Sequence, residues 1–291
     1  MESHPWRQVH VTFPDWAEAE RTALARLVPV LVAAEDEKVI SSWFFIRKSP
    51  SWRLRYLPGG NPSEADAYIT GHLVDLAGEH HVDIIAGIVY EPETRAFGGS
   101  EGMASAHRLF HLDSRNLLAH LARTNAASPG GGYRRELPVL LCTALLRGAG
   151  LDWYEQGDVW AQVADHRDRP DHVPPSRLPQ LENNLRRLMS ADIAGLTADG
   201  ASLAFAADWL RAYTSAGREL ADLTATGLLH RGLRAILAHH IIFAWNRHGL
   251  PHPTQAALAH TARTVVFGPD PTTRHQSTRG GEPCSGTPED H

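Results

Sequence analysis

A chain of 291 residues with 43% hydrophobic and 21% charged residues is long enough to bury a sizeable core, and its composition is that of a protein most of which folds. A formal charge of −5 and a pI near 6.4 argue against a general nucleic-acid binder, so no direct nucleic-acid contact is expected. No apolar stretch approaches the length of a bilayer crossing, and Met1 to Trp16 lacks the basic-then-apolar order of a signal peptide; a cytoplasmic location is expected.

Cys142 lies in an apolar run and Cys284 in a polar tail, which makes a disulfide between them a poor expectation and a reducing compartment the default. Lys38 and Lys48 are the only lysines. A GC-rich genome accounts for such a bias, so a functional arginine must be argued at its own position.

The first third alternates between strand and helix signals. Val9 to Phe13 has the β-branched and aromatic content of a strand. Pro14-Asp15 opens a helical stretch to about Ala34, which Pro29 should kink or shorten. Ile40–Arg47 and Ser51–Leu57 read as strands joined tightly through Lys48-Ser49-Pro50, and Pro62 to His80 as a helix. Val82 to Tyr90, almost wholly apolar, predicts a central strand. This β-α-β-β-α-β order is that of a ferredoxin-like unit.

Helical spacing dominates afterwards. Met103 to Ala126 predicts a helix broken near Asp113, and Gly130–Gly132 a loop. Further helices fit Pro138–Leu146, the apolar stripe Leu178 to Met189, Ala201–Leu223 and Gly227–His248, with a loop over Pro170–Pro175. The expected fold class is therefore α+β, with a ferredoxin-like part over about 6–100 and a mainly helical part over about 102–268, forming one domain. Residues 269–291, rich in Pro, Gly, Thr and Ser, predict a disordered tail.

Three segments could carry chemistry. In Ser51 to Leu57, Arg53 and Arg55 fall on one strand face, where two guanidiniums can bind a carboxylate or an enolate oxygen; from the pattern alone a solvated sheet face is the more favoured explanation, since exposed arginines are common. Tyr90 to Gly99 places Glu93 and Arg95 at the mouth of a strand, as a ligand-facing edge or a plain turn. In His239 to Leu250, helical spacing aligns His239 with Phe243 and Asn246, and His240 with Arg247; either histidine suits a general base, or a satisfied core residue. His107 and His111 are spaced as zinc ligands can be, but no carboxylate or cysteine completes a set, and no metal or other cofactor is expected.

In register, WFFIR…WRLRYL, YEPETRAFGG, GMASAHRLFHLDSRNLL, LLRGAGLDWYEQGDVW and HHIIFAWNRHGL resemble the thiopeptide-type bacteriocin biosynthesis domain. That domain is the stand-alone relative of the C-terminal elimination domain of lantibiotic dehydratases. The resemblance spans about Trp6 to Gly268. It implies β-elimination of glutamate from glutamylated Ser/Thr of a precursor peptide, giving dehydroalanine or dehydrobutyrine. It also implies as partners the precursor peptide and a tRNA-dependent glutamylating dehydratase subunit, with a homodimer allowed. Relatives of the same fold are pyridine synthases, and a non-catalytic peptide-binding partner is the third reading.

The resemblance carries the family's paired strand arginines onto Arg53 and Arg55, and its glutamate onto Glu93. Catalysis is thereby assigned to Arg53, Arg55, Glu93 and one of His239 and His240, and substrate binding to Arg47, Arg95, Asn246 and Arg247. Two departures stand out. Ala96 replaces an arginine common before the family's Tyr-Gly-Gly, and the family's C-terminal histidine, just before Asn-Arg, has no counterpart in Phe243-Ala244-Trp245.

Overall fold

In the computed structural model, which describes residues 5–127, 135–168 and 174–268, the chain opens with a four-stranded antiparallel sheet. Its strands β1 (Arg7–Thr12), β2 (Ile40–Lys48), β3 (Ser51–Pro58) and β4 (Asp83–Ile88) lie in the order β2-β3-β1-β4. Between β1 and β2 run α1 (Ala19–Thr22), a π-helical turn over Ala23–Leu27 and α2 (Val28–Asp36). Pro29, expected to kink or shorten this stretch, does not end it: it lies directly after the π-helical turn, inside a helical run that continues to Asp36. Between β3 and β4 lies α3 (Pro62–Gly78), started by the Asn61 side chain accepting from the Ser63 N–H.

Strand alternation sorts the two faces. Val9, Val11, Trp43, Phe45, Trp52, Leu54 and Tyr56 are buried in one core with Ala23, Leu27, Leu31, Ile69 and Leu73 of the crossover helices. The opposite face carries Gln8 and His10 of β1, Phe44 and Ile46 of β2, and Arg53 and Arg55 of β3. One expectation fails here: β4 is an edge strand, not a central one, with Ile85 56% and Val89 78% exposed. An apolar run records composition rather than neighbours; in this one Val82 and Tyr90 are packed away, whereas Ile85 and Val89 face solvent.

The rest is helical: α4 (Ser100–Ala127), α5 (Glu136–Gly148), α6 (Trp153–Asp165), α7 (Leu178–Met189), α8 (Ile193–Thr197), α9 (Ala207–Ala225), α10 (Leu233–His248) and α11 (His252–Phe267). Every residue of α5 from Leu137 to Leu146 is buried, so this mostly apolar helix forms the centre. It approaches α9 so closely that a Cβ on Gly217 would lie 2.1 Å from the Leu145 carbonyl oxygen. α4 and α10 pack against β2, covering Phe44 with Phe97, Met103, Ala106, Phe110 and Phe243.

Contrary to expectation, α4 runs unbroken through Asp113, whose carboxylate is engaged by Trp209 and Arg247 and does not compete for the helix backbone. A 3₁₀ turn at Ala204–Ala206 and a loop reaching Gly232 delay the starts of α9 and α10 relative to expectation. Cys142 is fully buried. Gly130–Gly132, most of the expected Pro170–Pro175 loop, Cys284 and the expected disordered tail lie outside the described residues. No helix among the described residues is long and apolar enough to cross a membrane.

Candidate active site

The sheet face opposite the crossover helices is built from cross-strand rows. Phe44, Arg55 and Gln8 form one, and Ile46, Arg53, His10 and Ile85 the next. Arg55 is 3% exposed. Its guanidinium carbon lies 4.3 Å from the Tyr90 ring centre and 5.3 Å from that of Phe44, and its Nε donates to Gln8 Oε1 at 2.8 Å. Glu93 is its carboxylate, but at 4.0 Å, and Arg55 Nη1 and Glu93 Oε2 are both buried without a hydrogen-bond partner. Burial lowers the Arg55 pKa, with Arg53 and Arg247 acting in the same direction and Tyr90 and Glu93 against it. Arg53 remains partly exposed opposite His10. Two guanidiniums, one of them desolvated and loosely compensated, thus face one surface, an arrangement suited to a carboxylate or a developing oxyanion.

Glu93 belongs to a tight turn that ends at Gly98 and Gly99, with φ of 84° and 111°. These values favour glycine. The turn is tied to the loop before α10, because the His230 N–H donates to the Gly98 carbonyl at 2.8 Å. Arg231 Nη1 donates to the Ala96 carbonyl at 3.0 Å. Arg95 is exposed and lines, with Ser100, His230 and Arg231, a cavity of about 770 Å³ beside this turn.

On α10 the two histidines differ sharply. His240 is 1% exposed, with its ring against Phe97 and Phe110 and neither nitrogen hydrogen-bonded. Burial, with Arg247 and His239 adding to it, brings its pKa down to about 3, so it is a neutral core residue. His239 is half-buried, and its Nδ1 lies 3.0 Å from the Ala235 carbonyl oxygen, which asks for an Nδ1–H, and 3.4 Å from Arg231 Nη1, which asks for an Nδ1 lone pair; the shorter contact puts the proton on Nδ1 and leaves Nε2 the basic nitrogen. Burial lowers its pKa, opposed by that hydrogen bond and helped by Arg231 and His166.

Three expected substrate-binding residues are engaged elsewhere. Arg47 lies on the opposite sheet face from Arg53 and Arg55, paired with Glu20 at 2.7 Å and set over Trp52 at 4.8 Å. Asn246 accepts from Gln255 of α11 at 3.0 Å. Arg247 is fully buried; its Nε donates to Asp113 Oδ2 at 2.6 Å, and its guanidinium covers Phe110 at 4.3 Å. These engagements have one cause: helical and strand spacing shows which residues share a stripe, not which element covers it.

Sequence reasoning also missed Gln8 and His10. The alternation of buried Val9 and Val11 puts Gln8, His10 and Thr12 on the other face, but their place beside the arginines depends on the β1–β3 register. The zinc-like pair is structural: His107 Nε2 lies 2.9 Å from the Tyr90 hydroxyl, and His111 Nδ1 3.0 Å from the Trp43 carbonyl oxygen. Among the described residues no group of three or more potential metal ligands converges.

The sequence matches the family described as lantibiotic biosynthesis dehydratase C-term over residues 6–266. The chain belongs to this family. Among solved structures, the fold is similar to the tRNA-dependent lantibiotic dehydratase MibB from Microbispora sp. 107891, at 19% identity and a TM-score of 0.64. That match covers 95% of this chain but only 29% of MibB. TsrL is similar at 15% identity and a TM-score of 0.59, covering 89% of this chain and 94% of TsrL. TbtD, a pyridine synthase from thiomuracin biosynthesis, is similar at 12% identity and a TM-score of 0.62, covering 90% of this chain and 98% of TbtD. At these identities the likeness is one of fold. No curated protein matches the sequence.

Proposed function

We propose that the protein eliminates glutamate from glutamylated Ser/Thr residues of a ribosomally made precursor peptide, as a cytoplasmic lyase working with a separate glutamylating subunit. The observation that carries this reading is Arg55, a desolvated guanidinium whose carboxylate stands 4.0 Å away, next to Arg53 on a partly open sheet face. In the reaction the Cα–H bond breaks and its electron pair becomes an enolate. The enolate collapses to a Cα=Cβ double bond, and glutamate leaves through cleavage of the Cβ–O bond as a carboxylate. Both anionic stages fit a paired arginine site. Glu93 orients Arg55, and Arg95 serves the peptide from the adjoining cavity.

His239 is our base: its Nε2 keeps a lone pair, whereas the His240 ring is enclosed. The Glu93–Phe97 turn links the two groups of residues, facing Arg55 through Glu93 and meeting Arg231 through the Ala96 carbonyl. We also infer a ferredoxin-like unit in the sheet half, supported by the antiparallel order β2-β3-β1-β4 and helices after β1 and β3.

A second reading, pyridine synthesis from dehydroalanines, is supported by the likeness in fold to the pyridine synthase TbtD, at a TM-score of 0.62. Mass spectrometry separates them. Purified protein is given a glutamylated precursor and, separately, a dehydroalanine-containing one. Glutamate loss from the first is expected. An unchanged first peptide and a cyclised second would replace elimination with pyridine synthesis, and no change in either would leave a peptide-binding role.

A further inference from the structure

Arginine can only donate hydrogen bonds, so the Gln8 atom 2.8 Å from Arg55 Nε is necessarily its carbonyl oxygen. The other end of that amide, the NH₂ group, lies 3.3 Å from His10 Nε2. An amide NH₂ only donates, so Nε2 of His10 accepts and holds the lone pair. In a neutral imidazole the proton then sits on Nδ1. Nδ1 makes no hydrogen bond among the described residues, and His10 lies partly exposed on the arginine face, between Arg53 and Ile85 in its row. Two observations disfavour the imidazolium. Its Nε2–H would point at the Gln8 NH₂ group, and burial together with Arg53 and Arg55 lowers the His10 pKa.

We propose that His10 is a catalytic hydrogen-bond donor: the Arg55–Gln8–His10 relay fixes its Nδ1–H tautomer and presents that N–H to a carbonyl oxygen of the substrate peptide on the Arg53–Arg55 face. This rests on the reading of that face as the reacting site. No proton leaves the ring. The N–H···O contact strengthens as negative charge grows on the oxygen, and the two guanidiniums take up the rest of that charge. The relay also makes Gln8 a positioning residue, because it transmits the fixed orientation of Arg55 to the imidazole.

The test combines ring nitrogen NMR on the full chain with three substitutions at position 10. Nitrogen shifts and one-bond proton couplings should show His10 protonated on Nδ1 only near neutral pH, and Gln8→Leu should release that preference. Asparagine places an amide N–H where Nδ1 stands but cannot act as a base. His10→Asn should therefore keep glutamate release within about tenfold of the parent. His10→Ala and His10→Gln should lose roughly a hundredfold, the usual cost of an oxyanion donor. A ring protonated on Nε2, or on both nitrogens, overturns the proposal whatever the kinetics. Equal losses in the Asn and Ala variants overturn it by making His10 a proton carrier. Parental rates in all three, with Arg55→Ala inactive, overturn the substrate contact alone. Parental rates that extend to Arg55→Ala overturn the contact and the reading of the face together.

Discussion

Two buried arginines, Arg55 of β3 and Arg247 of α10, have been given opposite surroundings. Arg247 is fully enclosed and holds Asp113 at 2.6 Å, and His248 contacts the same carboxylate at 3.2 Å. Arg55 is nearly as enclosed, yet its carboxylate stands 4.0 Å away and part of its charge faces Arg53 and a partly open surface. Neither burial nor an unpartnered nitrogen therefore distinguishes a structural arginine from a functional one, since Nη1 and Nη2 of Arg247 are also buried without a hydrogen-bond partner; the tightness of the counter-ion does. A closed pair has spent its electrostatic potential on the fold, and a loosely compensated guanidinium keeps it for a ligand.

The largest effect should come from breaking the closed pair. Asp113→Ala leaves Arg247 uncompensated in the core and also removes the acceptor of the Trp209 indole N–H. A loss of about 3–5 kcal/mol in denaturant unfolding is expected. The double change Asp113→Leu with Arg247→Met should recover much of it, and a double variant no better than the single would refute the pairing argument.

At the open arginine the effect should fall on turnover. Arg55→Lys keeps the charge but loses the planar fork held over Tyr90 and bonded to Gln8. Glutamylated precursor should accumulate, with release slowed by roughly a hundredfold and the unfolding midpoint little changed. Accumulation of unmodified peptide instead would shift the defect to the glutamylating step.

How far the sequence revealed this contrast depends on the range of the signal. The shared face of Arg53 and Arg55 was legible, because strand period is local. The Asp152–Glu155 capping box that starts α6 was also present in the sequence, although periodicity alone overlooked that helix. What was not legible is pairing across distance: Arg247 with Asp113, Arg47 with Glu20, and His10 with Arg53. Helical spacing correctly separated His239 from His240, and the structure then turned His240 into the core against Phe97 and Phe110.

That buried histidine gives a pH prediction with a defined sign. Its pKa falls from 6.5 in an exposed state to about 3 in the fold, so acid protonates the unfolded chain first. The stability it contributes is whole above about pH 6.5 and is lost as pH falls toward its folded value, by roughly 1 kcal/mol per pH unit. Asp113, held well below the usual carboxylate range by Arg247 and His248 against the opposing effect of burial, adds a loss only below about pH 4. Unfolding curves of His240→Leu should thus be flatter than the parent between those two pH values. An unaltered slope there would mean that some other group titrates.

The smallest effect is expected at Arg47, on the far side of the sheet from the reacting face. Its guanidinium pairs with Glu20 and covers the Trp52 ring, both partly shielded from water, so the contacts serve packing. Arg47→Met keeps much of the apolar stem and removes the charge, and a loss of about 1 kcal/mol is the reasonable scale for such a pair with its cation–π contact. Glutamate release per folded molecule should stay at the parental rate, because strand parity opposite Arg53, the Glu20 contact and the Trp52 ring beneath it all hold Arg47 on the far face. Parental stability with impaired release would reverse the assignment and return Arg47 to the substrate.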